Sequence, residues 1–417
     1  MMKRFQATVA MTVAGALLVV GTLRAGEWKG EEVQRDGTLY VLNPAEPSGG
    51  EVEIELEELW RVGGEDEDVL FGVISQLVVD DAGNVYLLDG QLSEVQVFSP
   101  EGEWLRTIGR EGEGPGEFRS GSDLYRGPDG NLGVVQIFPG RIVKLTLEGE
   151  PAGNFPLPEV EGGGFQLVHR VRSTTDHVVM AYAQTSFDNG KQVQLSMLRS
   201  FDTAGNELAR YHQESRPSQY GGMKFEEKDF VNYVRRWGLA ADGRVAVALD
   251  FDDYRIHIWN ADGTLQRVVE LPDWQPLKRT KDERRRFQKF YDGITSWSPG
   301  STFHISDTHP TLSQIHFRDD GSMWVLNSRG RFAVPDGIFA SFDVFDENGH
   351  FVQRVHLRAN QDPVEDGLFF VRDRVYVVTD LFSAVMANLG GDDEDVVDAE
   401  PVSVISFRLD APTLVSK

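Results

Sequence analysis

The feature that most constrains this chain is a short turn that comes round six times. It reads "DDAGNVYLL" (80–88), "GPDGNLGVV" (127–135), "TTDHVVMAY" (174–182), "AADGRVAVA" (240–248), "RDDGSMWVL" (318–326) and "VRDRVYVV" (371–378). In most copies an Asp/Gly pair separates two apolar runs, the pattern of a tight hairpin. A second turn follows at "FSPEGEWL", "TLEGEPAG", "FDTAGNEL", "WNADGTLQ" and "FDENGHFV", with glycines at 102, 149, 205, 263 and 349. The first turn thus occurs six times and the second only five.

That shortfall predicts the topology. Each full unit holds four strands joined by turns, and the sixth unit lacks its outer strand. A piece of matching character, "IELEELWRVGG" (54–64), precedes the first full unit. A ring of four-stranded sheets closed by strands from both chain ends removes exposed sheet edges. The expectation is an all-β, six-bladed β-propeller closed by three C-terminal strands and one N-terminal strand, with a short helical insertion between blades 4 and 5. Its domain plan is 1–25 as a signal peptide or N-terminal anchor, 26–52 as a lead-in and 53–417 as one propeller domain.

The first unit, "VDDAGNVYLLD…VQVFSPEGEWLRTIGREGEGPGEF", resembles the NHL-type six-bladed propellers, specifically the exported bacterial 6-bladed β-propeller proteins, over approximately residues 36 to 410. The resemblance implies the fold, and by analogy a ligand- or partner-binding role. Blade three departs from the pattern, with His177 in the slot of the turn glycine. "RIHIWNADG" (255–263) points to WD repeats as the alternative, but no Gly-His or Trp-Asp signature recurs. Within "GREGEGPGEF" (109–118), three glutamates argue against holding a phosphate. The glycines read as geometry that carries the chain from rim to axis and wedges Phe118 between blades.

Composition narrows the function classes. With 40% hydrophobic and 26% charged residues the chain can bury a core, and 43 glycines suit strands joined by tight turns. A net charge of −25 opposes nucleic-acid binding. The absence of cysteine excludes disulfides, thiolate metal sites and a lipid-modified N-terminus. Lys3 and Arg4 precede 19 uncharged residues, Phe5 to Leu23, which reads as a secretory signal. Left uncleaved, the same stretch is an anchor that could just span a bilayer, so membrane contact is expected only through it. Both readings put the rest of the chain in the periplasm or outside the cell.

Two insertions interrupt the repeat. "DWQPLKRTKDERRRFQKFYDG" (273–293) contains Thr280-x-x-Glu283, a capping box that predicts a helix over about 281–291 with Phe287, Phe290 and Tyr291 on one face. The helix either packs over one end of the propeller or, through its arginines and lysines, forms a basic lid for an anionic ligand or an acidic segment of the chain. "GGDDEDVVDAE" (390–400) is such a segment. It lacks the alternating Asp spacing of a compact calcium loop, as do "GGEDED" (63–68) and Asp250, Asp252 and Asp253.

Counting seven residues back from each first turn gives Gln76, Asp123, Arg170, Arg236, Gln314 and Asp366, all polar. The positions one residue on, Leu77, Leu124, Val171, Trp237 and Ile315, are apolar, so alternation puts the two sets on opposite sides of the inner strands. The polar set is the candidate ligand-binding ring near the channel mouth, or else a self-satisfied ring around water. The position before it, Ser75, Ser122, His169, Arg235, Ser313 and Glu365, is polar too. The loop-rich face, which collects outer-to-inner connections and second-to-third loops, is the expected binding face.

Catalytic signals are sparse. In blade pattern the chain is similar to peptidyl-hydroxyglycine lyases, which implies zinc held by histidines; His169, His309 and His316 are the candidates here. Lactonase-like propellers use a Glu-Gly-Pro stretch, and "EGPGEF" (113–118) holds those letters in a different place. No G-x-S-x-G, H-E-x-x-H or P-loop motif occurs. The preferred expectation is a non-enzymatic module that binds a protein, peptide or small ligand without a required cofactor. The alternative is a zinc- or calcium-dependent lyase or hydrolase working in the axial channel.

Overall fold

The computed structural model describes residues 26–64, 69–160, 163–188, 191–219, 221–230, 233–296, 298–371, 374–389, 401–409 and 413–414. The signal segment 1–25, the acidic run 390–400 and residues 65–68 lie outside these.

Five sheets run inner to outer in chain order. Blade 1 is Ile74–Val79, Val85–Asp89, Glu94–Phe98 and Trp104–Ile108; blade 2 is Gly121–Arg126, Leu132–Gln136, Arg141–Leu145 and Pro151–Asn154. Blade 3 uses longer strands, from Gly164–Ser173 to Glu207–Pro217, and blade 4 spans Trp237–Leu239 to Leu265–Glu270. Blade 5 runs from Leu312–Phe317 to Phe351–Arg358. Nine of the turn glycines, at 83, 102, 130, 149, 205, 243, 263, 321 and 349, sit at φ between 81° and 96°. Side chains with a Cβ rarely adopt that region, which is why the turn is written with glycine so consistently. In blade 3 the backbone N–H of Thr174 donates to the His177 carbonyl at 3.0 Å, closing the turn without a glycine.

Blade 6 supplies only Gly367–Val371, Arg374–Val378 and Ser403–Leu409. Its fourth strand is Glu51–Gly63 from the other end of the chain. Leu56 to Gly63 pairs antiparallel with Leu409 to Ser403, while Glu51 to Glu55 pairs parallel with Arg354 to Arg358 of blade 5. One strand thereby ties the last two blades together. Val52, Ile54, Leu56 and Trp60 are buried along it, and each such side chain contributes about 1.5–3 kcal/mol of burial.

The lead-in is itself structured. Glu31–Arg35 and Thr38–Leu42 form a hairpin, its turn made by Asp36 at φ 49° and Gly37 at φ 83°, and the second strand joins the outer edge of blade 4 in parallel. That edge becomes a six-stranded sheet. The helical insertion is also present, as Lys281–Thr295, four residues longer than expected at its C-terminal end. The Thr280 hydroxyl accepts from the Glu283 amide and the Glu283 carboxylate accepts from the Thr280 amide, so the capping box is complete. Among the described residues no helix is long and apolar enough to cross a membrane.

The connector 109–118 ends with Phe118 fully buried against Ile108, Leu124, Val134, Val143 and Leu145, between the first two blades. Glu117 in this connector pairs with Arg110 and accepts the Gly114 amide at 2.8 Å. These contacts hold the tight path that the glycines permit.

Candidate functional site

Four inner strands carry the same irregularity. Register shifts fall at Ile74/Gln76, Gly121/Asp123, Val168/Arg170 and Leu312/Gln314, leaving Ser75, Ser122, His169 and Ser313 as extra, bulged residues. A bulge aims consecutive side chains to the same side. It therefore accounts for two adjacent polar positions where strict alternation would leave one. The Ser122 and Ser313 hydroxyls donate to the carbonyls of Val135 and Leu326 on the neighbouring strands, at 3.2 and 3.1 Å.

The six ring positions divide by what they touch. Gln76 donates to Asp123 at 3.0 Å, and the same carboxylate accepts the Val171 amide at 2.8 Å and both contacts of the Arg172 guanidinium at 3.0 Å. Asp123 thus clasps blades 1, 2 and 3. Arg170 crosses to the lead-in of blade 4, donating to the Arg235 carbonyl at 2.8 Å. Arg236 is buried and donates to the Asp250 carbonyl at 2.7 Å, in a loop of its own blade. Gln314 accepts from His316, two residues along its strand, at 2.9 Å. Asp366 accepts the Asp362 and Asp380 amides at 3.0 and 2.9 Å, and burial pushes its carboxyl up to about 6.

Below this level the channel opens into a cavity of about 210 Å³, more than ten times what one water needs, roughly 10–15 Å³. Three guanidiniums line it: Arg170 and Arg172 from blade 3, and Arg318 from the turn of blade 5. His316 and Phe370 stand side by side in the wall, ring centroids 5.0 Å apart, with Trp237 and Ile315 as apolar floor. The Arg318 guanidinium lies 5.4 Å from the Trp324 ring and 5.7 Å from Phe370. The exposed Asp319 marks the opening, on the face of the hairpin turns and opposite the loop-rich face.

The electrostatics there are one-sided. Burial, followed by Arg170, Arg172 and Arg318, holds His316 down to about 3, so its imidazole is neutral at physiological pH. Arg170 is pushed below its ordinary value by burial and then by Arg172. It makes no ion pair among the described residues. Arg172 is neutralised by Asp123, and among the described residues Asp319 is the one carboxylate in the lining.

The three candidate histidines serve separate surroundings. His169 is a bulge residue that burial and Arg235 hold down to about 4. His309 lies under the insertion helix, stacked on Phe332 at 4.0 Å and bonded to Glu283 at 3.2 Å. His316 is in the axial cavity. Among the described residues, no three His, Asp or Glu side chains converge as a metal site.

The loop-rich end is occupied by the chain's own side chains. Arg279 forms a two-pronged ion pair with Glu227 at 2.5 and 2.7 Å, with side chains 2% and 0% exposed. Arg284 pairs with Asp307, Arg285 with Asp282 and Arg286 with Glu365. Phe287 and Phe290 pack on Phe382 of a second helix, Leu381–Asn388. The insertion helix is therefore a docked cap, its arginines answered by carboxylates from within the fold.

The model of a family described as 6-bladed beta-propeller, DUF5128, matches residues 65–234. No curated protein matches the chain. Among solved structures, a DUF4221 family member from Bacteroides vulgatus is similar at 13% identity and TM-score 0.46, over 86% of this chain and 99% of that one. Virginiamycin B lyase from Staphylococcus aureus gives 9% identity and TM-score 0.41, over 84% and 99%. A gluconolactonase from Xanthomonas campestris gives 9% and 0.40, over 81% and 87%. By its strand pairing and by the family model, the chain is a six-bladed β-propeller.

Proposed function

We propose that this chain is an NHL-type propeller that works outside the cytoplasm as a binding module, with a small ligand held in the axial channel. The observation that carries this reading is the cavity at the turn end of the channel, the place where a rigid ring of inner strands can present side chains from several blades to one molecule. The loop-rich face, the expected location, is covered by an insertion helix whose arginines are already paired. Binding is favoured over turnover by the chemistry of the lining. It offers guanidiniums, one neutral imidazole bonded to Gln314, the Asp319 carboxylate at the opening, and aromatic and aliphatic walls, a set that orients a ligand and includes no hydroxyl, thiol or amine nucleophile. Export is supported by the basic, then apolar, N-terminus.

A thermal-shift screen of a small-molecule library against the purified chain tests this. Leu239 lines the cavity, and Leu239→Trp would fill part of it. Ligands that raise the melting temperature of the unaltered chain should leave the Leu239→Trp chain unmoved. Hits that stabilise both equally would put the site elsewhere, and hits consumed during incubation would replace binding with catalysis.

A further inference from the structure

The loop-rich end of the ring carries a device that is independent of the axial cavity: the seat of the insertion helix is built around one buried imidazole. His309 is fully buried, its ring stacked on Phe332 at 4.0 Å and edge-on to Phe287 at 5.9 Å. Its backbone N–H donates to the Leu277 carbonyl at 2.9 Å, which fixes it to the segment leading into the helix. Arg279 Nε–H donates to its Nδ1 at 3.4 Å, and its Nε2 lies 3.2 Å from Glu283 Oε1. A guanidinium has N–H donors and no acceptor, so Nδ1 must be the bare nitrogen and Nε2 the one that donates to the carboxylate. Neutral imidazole is the one form that fits both partners.

Neither partner can turn aside. Arg279 is pinned by two bonds to Glu227, at 2.5 and 2.7 Å, with side chains 2% and 0% exposed, and by a third to the Ser306 carbonyl at 3.2 Å. Glu283 holds the helix start with its other oxygen, which accepts the Thr280 amide at 2.6 Å. Among the described residues, the charged groups that reach His309 are these two, Arg279 from the segment before the helix and Glu283 from its first turn. The helix Ser328–Phe332 presents the Phe332 ring, Glu227 lies behind Arg279, and Asp307, two residues away, is engaged with Arg284. A proton on Nδ1 would turn an accepted bond into two opposed donors and set a buried imidazolium 3.4 Å from a guanidinium that cannot move. Burial first, then Arg279, outweigh the attraction of Glu283 and hold the imidazole down to about 4.

We propose that the insertion helix is an acid-released cap, unseated from the loop-rich end when His309 takes up a proton while the six-bladed ring stays folded. A seated imidazole titrates at about 4, and a released one at its ordinary 6.5. The seat is therefore at full strength above about pH 6.5 and weakens as pH falls toward 4. Release uncovers Phe303, Phe332 and Phe382, which Tyr291, Phe287 and Phe290 of the helix cover. The loop-rich face thereby gains, in acid, an apolar surface that is hidden at neutral pH.

Hydrogen exchange of the full chain tests this, followed by mass spectrometry at about pH 7 and about pH 4.5 and corrected for the pH dependence of intrinsic exchange. Opening of Lys281–Thr295 should rise about fiftyfold between the two, the ratio set by the values 6.5 and about 4. The blade 1 strand Val85–Asp89 should change by less than about threefold, because the ring stays closed. His309→Gln keeps an amide that can accept from Arg279 and donate to Glu283 without titrating. His309→Phe keeps a ring to stack on Phe332. Either replacement removes the titrating group, so the ratio should fall to about threefold or less even with a cap that is looser at both pH values. A rise below about threefold in the unaltered chain, an equal rise in Val85–Asp89, or the full rise in both variants overturns the proposal.

Discussion

Removing the Arg279 guanidinium should undock the insertion helix. Arg279 and Glu227 are almost wholly excluded from solvent and meet through two bonds of 2.5 and 2.7 Å. In Arg279→Met the Glu227 carboxylate keeps the Ser306 amide, at 2.9 Å, as a donor. Leaving a buried charge without its partner costs about 3–5 kcal/mol. The Arg279 contact over the Phe287 ring, 4.7 Å from its centroid, is lost too. Because Glu227 lies in the lead-in to blade 4 and Arg279 just precedes the helix cap, the cost should appear as local opening of Lys281–Thr295. Hydrogen exchange of those amides should quicken by about two to three and a half orders of magnitude, at 1.4 kcal/mol per factor of ten. The double variant Arg279→Met/Glu227→Gln should recover most of the protection, since no charge is left stranded. Exchange within threefold of the unaltered chain, or a double variant as open as the single, would refute the reasoning.

Two further outcomes follow from named contacts. Asp366 has a folded pKa of about 6 against an ordinary value of 3.8. Its stabilising contribution is complete below about pH 4 and is lost as pH rises through about 6, a change of order 3 kcal/mol. Urea unfolding of Asp366→Asn against the unaltered chain should show that this part of the pH slope has gone; parallel slopes would contradict it. The absence of cysteine allows a clean test of ring closure: Glu57 and Arg408 are register partners across the closing strand pair. Cysteines at both positions should oxidise to an intramolecular disulfide, whereas cysteines at Glu55 and Arg408 should not. The reverse result would mean a shifted register.

Much of the architecture was legible because turns state their requirements locally. A left-handed backbone position asks for glycine, and the missing second turn in blade 6 pointed to the strand that supplies it, Glu51–Gly63. The capping box at Thr280 and Glu283 was equally local. What escaped notice depended on distant pairing. The hairpin Glu31–Leu42 carries a plain Asp36-Gly37 turn, yet its parallel seat on blade 4 involves residues more than 200 positions away. The short helix Leu381–Asn388 has neither a cap bond nor a strong apolar stripe to announce it.

The candidate site was half visible for a related reason. Counting from the turns reached Arg170, which lines the cavity, and Gln314, which bonds to His316 in its wall, but not Arg172 or Arg318. Arg172, His316 and Arg318 continue at alternate positions, Arg170 to Arg172 and Gln314 to His316 to Arg318, so the period-2 polar pattern was the available signal. The bulges at Ser75, Ser122, His169 and Ser313 fall just before it and account instead for the second polar position ahead of each ring residue, which only strand pairing reveals.

The most direct measurement is a crystal structure of the chain grown with the small molecule that most raises its melting temperature. The account predicts density for that molecule in the axial cavity, against Leu239 and Phe370. Density on the loop-rich face beside the insertion helix, with the axial cavity holding only water, would contradict it.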